Sequence, residues 1–100
     1  MIARRWHGAV PVTRADEYLR LMREVALPDY RRTPGNRGAW CLRRIEHDVA
    51  HFEMLTFWED IPSIQRFAGE DYGQAKYYDF DDAFLIEKEP TVQHHSVYDR

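Results

Sequence analysis

The segment Phe52-Glu53-Met54-Leu55-Thr56-Phe57-Trp58 places the tightest constraint on the fold. Alternate residues of a strand point to opposite faces, so Phe52, Met54 and Trp58 share one side while Leu55 and Phe57 share the other. A sheet with helices on one side and water on the other alternates apolar with polar residues. Here both faces are apolar. In a chain of 100 residues the two principal helices can cover only one face. The expected cover for the second is another copy of the chain, packed sheet to sheet as a homodimer.

The elements on either side follow from local pattern. Residues 2–10 are β-prone and stop at Pro11, which predicts a first strand. Thr13 is a candidate N-cap for a helix whose apolar positions are Ala15, Tyr18, Leu19, Met22, Val25 and Ala26. Pro28 is expected to end or kink that helix near Leu27, and Pro34-Gly35 reads as a turn. Strands at about 38–46 and 50–58 form a hairpin around His47-Asp48. Asp60 caps a second helix that buries Ile61, Ile64, Phe67 and Ala68 and stops at Gly69. Short helical turns are expected at Gly73–Tyr78 and Asp79–Ile86, then a last strand at Thr91–Tyr98. The order is β-α-β-β-α-β with an extra helical piece before the final strand. That predicts an α+β, ferredoxin-like fold with an antiparallel sheet, in one domain over 1–100.

Charge and composition narrow the function classes. The formal net charge of -3 argues against a general nucleic-acid binder. It conceals ten arginines against four acids in residues 1–45, and three basic residues against twelve acids in 46–90. From Arg31 to Ile45 there are five arginines and no acid. These are two solvated faces of opposite sign or complementary charge between subunits. Twelve of the 14 basic residues are arginine, which reads as a compositional bias without functional weight. Cys41 is the single cysteine, so neither an intrachain disulfide nor a cysteine-based zinc site is expected. No apolar run approaches the roughly 18 residues of a membrane helix. No hydrophobic stretch follows Arg4-Arg5, so a cytoplasmic location is expected rather than a secretory signal.

The first-strand segment Ile2-Ala3-Arg4-Arg5-Trp6-His7-Gly8, the Leu27-Pro28 break and the turn Pro34-Gly35-Asn36-Arg37-Gly38 form a recognisable series. It continues with Leu55-Thr56-Phe57-Trp58, Phe67-Ala68-Gly69-Glu70-Asp71-Tyr72, Phe84 to Pro90 and the His94-His95 strand. Over nearly the whole chain this resembles the antibiotic biosynthesis monooxygenase family of the dimeric α/β-barrel superfamily. The resemblance implies a homodimer with a pocket in each subunit between sheet and helices, taking a planar aromatic substrate or heme. It implies a cofactor-independent oxygenase, an oxidoreductase in which a deprotonated polyphenol or quinol itself reduces dioxygen. Such a site needs a dry aromatic slot, a proton acceptor and donors to steady the oxyanion. Trp6, Trp58 and Phe67 are candidates for the slot, and an arginine or Tyr77 for the donor. His7, His94 or His95 would take the proton, an imidazole titrating near pH 6.5. The resemblance favours His95, with His7 as its partner from the neighbouring strand.

The heme-degrading branch of that family carries an asparagine, a tryptophan and a histidine. Aligned on Trp58, this chain has Phe67 and Tyr77 at the last two positions and no asparagine on the first strand. Heme degradation by that route is not expected. The plainer reading of Trp58, Phe67 and Trp6 is core packing, and of a strand histidine a hydrogen-bonded core or rim residue. His47 and His51 read as solvated, Asp79, Asp81 and Asp82 as helix-start and surface charge, and Cys41 as a small buried residue. No cofactor or metal is expected. The competing function is a non-catalytic dimer of the same fold that binds a small aromatic ligand or a protein partner. An RNA-recognition module shares the element order, but its Lys/Arg-Gly start and central glycine are absent from residues 51–58.

Overall fold

A computed structural model describes residues 1–99. Strand β1 (Ile2–Pro11) leads through a 3-10 turn (Val12–Arg14) into a long helical run. That run comprises α1 (Ala15–Leu21), a π-helical turn (Met22–Ala26) and α2 (Leu27–Arg32). The hairpin of β2 (Asn36–Glu46) and β3 (Val49–Trp58) follows, then α3 (Ile61–Ala68). A 3-10 helix (Asp79–Ala83) precedes β4 (Gln93–Ser96). All pairings are antiparallel in the order β2-β3-β1-β4, compatible with a ferredoxin-like fold. No helix among the described residues is long and apolar enough to cross a membrane.

Several local expectations are corrected. Pro28 does not end the helix, although the regular α-helix is interrupted just before it. The π-helical turn lies just before it, so the wider winding absorbs the amide that proline lacks, and Pro28 sits in the first turn of α2. Thr13 makes no side-chain cap, because the 3-10 turn puts Arg14 at the helix start. Gly73–Tyr78 is not helical. Its backbone is drawn into bonds with the returning chain, Ala75 N–H to the Pro90 carbonyl at 3.0 Å and Val92 N–H to the Gly73 carbonyl at 3.0 Å. The second expected helical piece shortens to the 3-10 helix, and the last strand keeps four of its eight residues.

Other elements form for the reasons their residues supply. The Asp60 carboxylate accepts from Ser63 N–H at 2.9 Å, while Ser63 Oγ accepts from Asp60 N–H. Gly69 ends α3 in the left-handed region at φ 95°. Gly35 also has φ +95°, and a Cβ there would meet that of Ser63 at 2.2 Å, so only glycine fits where β2 begins against α3. His47 takes φ 56° in the two-residue turn of the hairpin. This is the left-handed conformation such a tight connection requires.

The register assigns every strand residue a face. Ile2, Arg4, Trp6, Gly8 and Val10 lie opposite Trp58, Thr56, Met54, Phe52 and Ala50. This is the helix-covered side, and all but Ile2 are buried. Trp40, Leu42, Leu55 and Phe57 share the outer side with Arg5, His7 and His51, and there Trp40 is 52% and Leu42 44% exposed. Arg5–Glu53 at 2.8 Å and Arg37–Glu59 at 3.0 Å join the basic half to the acidic half within one chain. Exposed pairs of this kind contribute about 0–1 kcal/mol each.

Candidate functional site

Between sheet and helices the interior is built from rings. Trp58 is fully buried at the end of β3, and its indole N–H donates to Thr56 Oγ1 at 2.9 Å. Tyr30 of α2 stacks on Phe67 of α3 with centroids 4.2 Å apart, and Trp58 lies 5.7 Å from Phe67. Trp6 meets Tyr77 edge-on at 6.0 Å. Tyr18 packs against Phe52 and Phe84 at 5.0 and 5.4 Å. Such pairs contribute about 0.5–1.5 kcal/mol beyond the area they bury. The space left among Trp6, Tyr18, Met22, Ala26, Tyr30, Met54, Lys76, Tyr78 and Asp81 is about 10 Å³, room for one water-sized molecule. A ring can enter only when the cover moves.

That cover is the irregular segment 72–92, held by polar clasps. Asp29 at the start of α2 accepts from Lys76 Nζ at 3.0 Å and from the Tyr78 hydroxyl at 2.7 Å. Burial pushes the Asp29 carboxyl up, but these donors together hold it below the ordinary range. Asp81 accepts from the Tyr18 hydroxyl at 2.7 Å and from Tyr78 N–H at 2.7 Å. Here burial dominates, and the carboxyl is raised. The Tyr18 and Tyr78 hydroxyls are also raised, first by burial and then by these carboxylates. Tyr30 is pushed up to about 12 by burial, with Arg4 opposing. All three tyrosines are neutral at pH 7.

The expected site residues divide between the two faces. Trp6, Trp58 and Phe67 stand on the inner side, and only Trp6 borders the small cavity. Tyr77 is half-buried beside Trp6, and its hydroxyl donates to the Glu89 carbonyl. His95 lies opposite Ala3 on the outer side and is exposed. His94, opposite Arg4, is the histidine that faces the interior, 5.1 Å from Tyr72, as strand alternation demands. Burial lowers its pKa, so the ring is neutral at pH 7.

His7 does not meet His95, because β4 pairs only with Ile2–Arg5. It bonds instead to His51, Nε2 to Nδ1 at 2.9 Å, and to Glu89 through Nδ1 at 3.1 Å. A neutral His7 that donates from Nδ1 to Glu89 accepts at Nε2 the Nδ1–H of His51. His51 is therefore half-buried and bonded rather than solvated. His7 and Glu89 border a cleft of about 430 Å³ that also touches Arg5, Trp6, Glu53 and Gln93. Cys41 is free and half-buried, and burial raises its thiol. Among the described residues, no three His, Cys, Asp or Glu side chains group so as to hold a metal ion.

The sequence offered an arginine as candidate donor without singling out Arg4. Arg4 is fully buried on the inner face, yet among the described residues no carboxylate pairs with it, and its Nε and Nη1 find no hydrogen-bond partner. The signal was a charged residue in phase with Ile2, Trp6 and Val10, hidden by the reading of arginine as composition.

Compared with known proteins, the chain matches no family model and no curated protein.

Proposed function

We propose that the chain is half of a dimeric α/β barrel and acts as a cofactor-independent oxygenase of a small phenol, quinol or anthrone. The observation that carries this reading is the ring-lined interior with the neutral His94 imidazole facing into it. In the proposed reaction His94 takes the hydroxyl or ring C–H proton. The resulting anion gives one electron to dioxygen, and the radical pair recombines at a ring carbon. One oxygen atom ends in the quinone and the other leaves as water, so anthrone plus dioxygen gives anthraquinone plus water. Trp6, Trp58, Phe67 and Tyr77 form the dry walls. His7 and His95, on the outer side, are placed where a second copy would pack.

The apolar outer face supports the dimer. Trp40 meets Phe57 edge-on at 5.7 Å, with Leu42 and Leu55 alongside, in a patch that no other element among the described residues covers. Light scattering at micromolar concentration should give twice the chain mass of 12.0 kDa. A species of 12.0 kDa overturns the dimer.

Binding without turnover is the second reading, favoured by the small cavity and the firmly clasped cover. Anthrone under air decides between them. Oxygen uptake matched by anthraquinone, and lost in His94→Ala, supports the oxygenase. Saturable quenching of tryptophan fluorescence by anthrone with no oxygen uptake supports the binder.

A further inference from the structure

Among the described residues the buried side-chain atoms without a hydrogen-bond partner are Arg4 Nε and Nη1, Trp6 Nε1 and His94 Nε2. They belong to one place. Arg4 and Trp6 are successive inner-face residues of β1, and His94 lies directly across from Arg4 on β4. Above them are Tyr72, Gln74 and Tyr77 of the cover. Three of these four atoms are obligate N–H donors, and the fourth is a ring nitrogen that donates in one tautomer.

The guanidinium is the telling member. Arginine stays charged inside proteins, and a buried charge without a counter-ion is strongly unfavourable. Arg4 has 0% of its surface exposed. Its third nitrogen, Nη2, reaches the Gln74 carbonyl only at 3.5 Å, and its carbon lies 5.4 Å over the Phe67 ring. Neither supplies a negative charge. Burial lowers its pKa, with the Tyr30 and Tyr78 hydroxyls opposing, and both hydroxyls are neutral at pH 7. The other cation nearby, Lys76, is already matched by Asp29. Among the described residues the corner thus holds one uncompensated positive charge amid aromatic walls.

We propose that this corner is a binding site for a monoanionic aromatic ligand, an aromatic carboxylate, whose charge is received by Arg4 and whose ring lies against Phe67, Tyr72 and Trp6. A single free cation matches a monoanion better than a phosphate dianion. The assignment rests on the reading of this interior as a ligand site, and it names what that ligand carries.

The test compares benzoate with its neutral isostere benzamide on the full-length chain, followed by tryptophan fluorescence and by the Arg Nε–H resonances. Wild type should bind benzoate at least about tenfold more tightly, with one Arg Nε–H signal shifting. In Arg4→Met the preference should fall within about twofold, and the ligand-free variant should melt no lower than wild type, since a buried charge has been removed. Arg4→Lys keeps the charge and should keep part of the preference. Equal binding of the two ligands by wild type overturns the anion assignment while leaving the ligand site standing. A ligand-free Arg4→Met that melts lower by roughly 5 °C or more makes Arg4 a structural residue and overturns it too. If neither compound binds, both readings fall. Benzoate selectivity without oxygen uptake on anthrone removes only the oxygenase.

Discussion

Replacing Asp81 by alanine should lower the melting temperature by on the order of 15 °C, one of the two largest effects expected from single substitutions. Asp81 is 1% exposed, and its two oxygens separately receive the Tyr18 hydroxyl and the Tyr78 amide. Truncation strands both donors, one of them on a tyrosine with no exposed surface. Losing a buried bond to a charged acceptor costs about 1.5–3 kcal/mol, with a further penalty for each donor left unpaired. For a domain this size each kcal/mol moves the midpoint by about 4–8 °C. Thermal melts of Asp81→Ala, Tyr18→Phe and the double variant check the account. The double variant should be little worse than Asp81→Ala alone, because Tyr18→Phe removes the stranded hydroxyl. Simple additivity would mean that the two groups are not coupled.

The same carboxyl gives a signed pH dependence. A folded pKa raised above the unfolded value contributes stability that is complete below the unfolded value of about 4 and is lost as pH rises through the folded one. Asp29, held below its ordinary value, contributes in the opposite sense: its share is present above about 4 and is lost on acidification. In Asp81→Ala the Asp29 contribution alone remains of this pair, so stability should fall more steeply on acidification than in wild type. Urea midpoints between about pH 3 and 6 would show it.

Trp58→Ala should cost about 3–5 kcal/mol, the range for deleting a large core ring. The indole is 0% exposed, lies against Phe67 and Tyr30, and donates to Thr56, itself 0% exposed. Deleting it opens a cavity where three elements meet, β3, α2 and α3. It also removes the donor that Thr56 Oγ1 accepts, though that hydroxyl still reaches the Arg4 carbonyl at 3.3 Å. Trp58→Phe keeps most of the volume and should recover more than half of the loss. Urea denaturation of the two variants measures this, and equal losses would shift the weight from ring volume to the hydrogen bond.

Elements with local signals were legible in the residues. Asp60, Ser63 and Gly69 define α3 because cap chemistry is local. The alternation of β3 sent Phe52, Met54 and Trp58 inward as expected, because these large apolar residues are strictly in phase. The helix through Pro28 was not legible. A π-helical turn is one way among several to accommodate proline, and packing selected it. Residues 73–78 were missed for a related reason, since their partners Pro90 and Val92 lie well along the chain. The site was half legible. Trp6, Trp58 and Phe67 are inside, as their apolar faces indicated. The inward histidine is His94 rather than His95, because strand alternation sends the two to opposite sides but does not say which goes in. Arg4 escaped because its meaning depends on what is missing around it.

The outer edge of β2 has consequences for how copies of the chain meet. It is an eleven-residue strand whose far side forms no ladder, the kind of template on which sheets of different molecules join and grow into aggregates. The acid-free run from Arg31 to Ile45 covers most of that strand, and Arg37 and Arg44 are 57% and 61% exposed. Two such edges brought side by side would set arginine against arginine. Like charge along this edge therefore disfavours the pairing of one sheet with the next, and with it fibre-like growth.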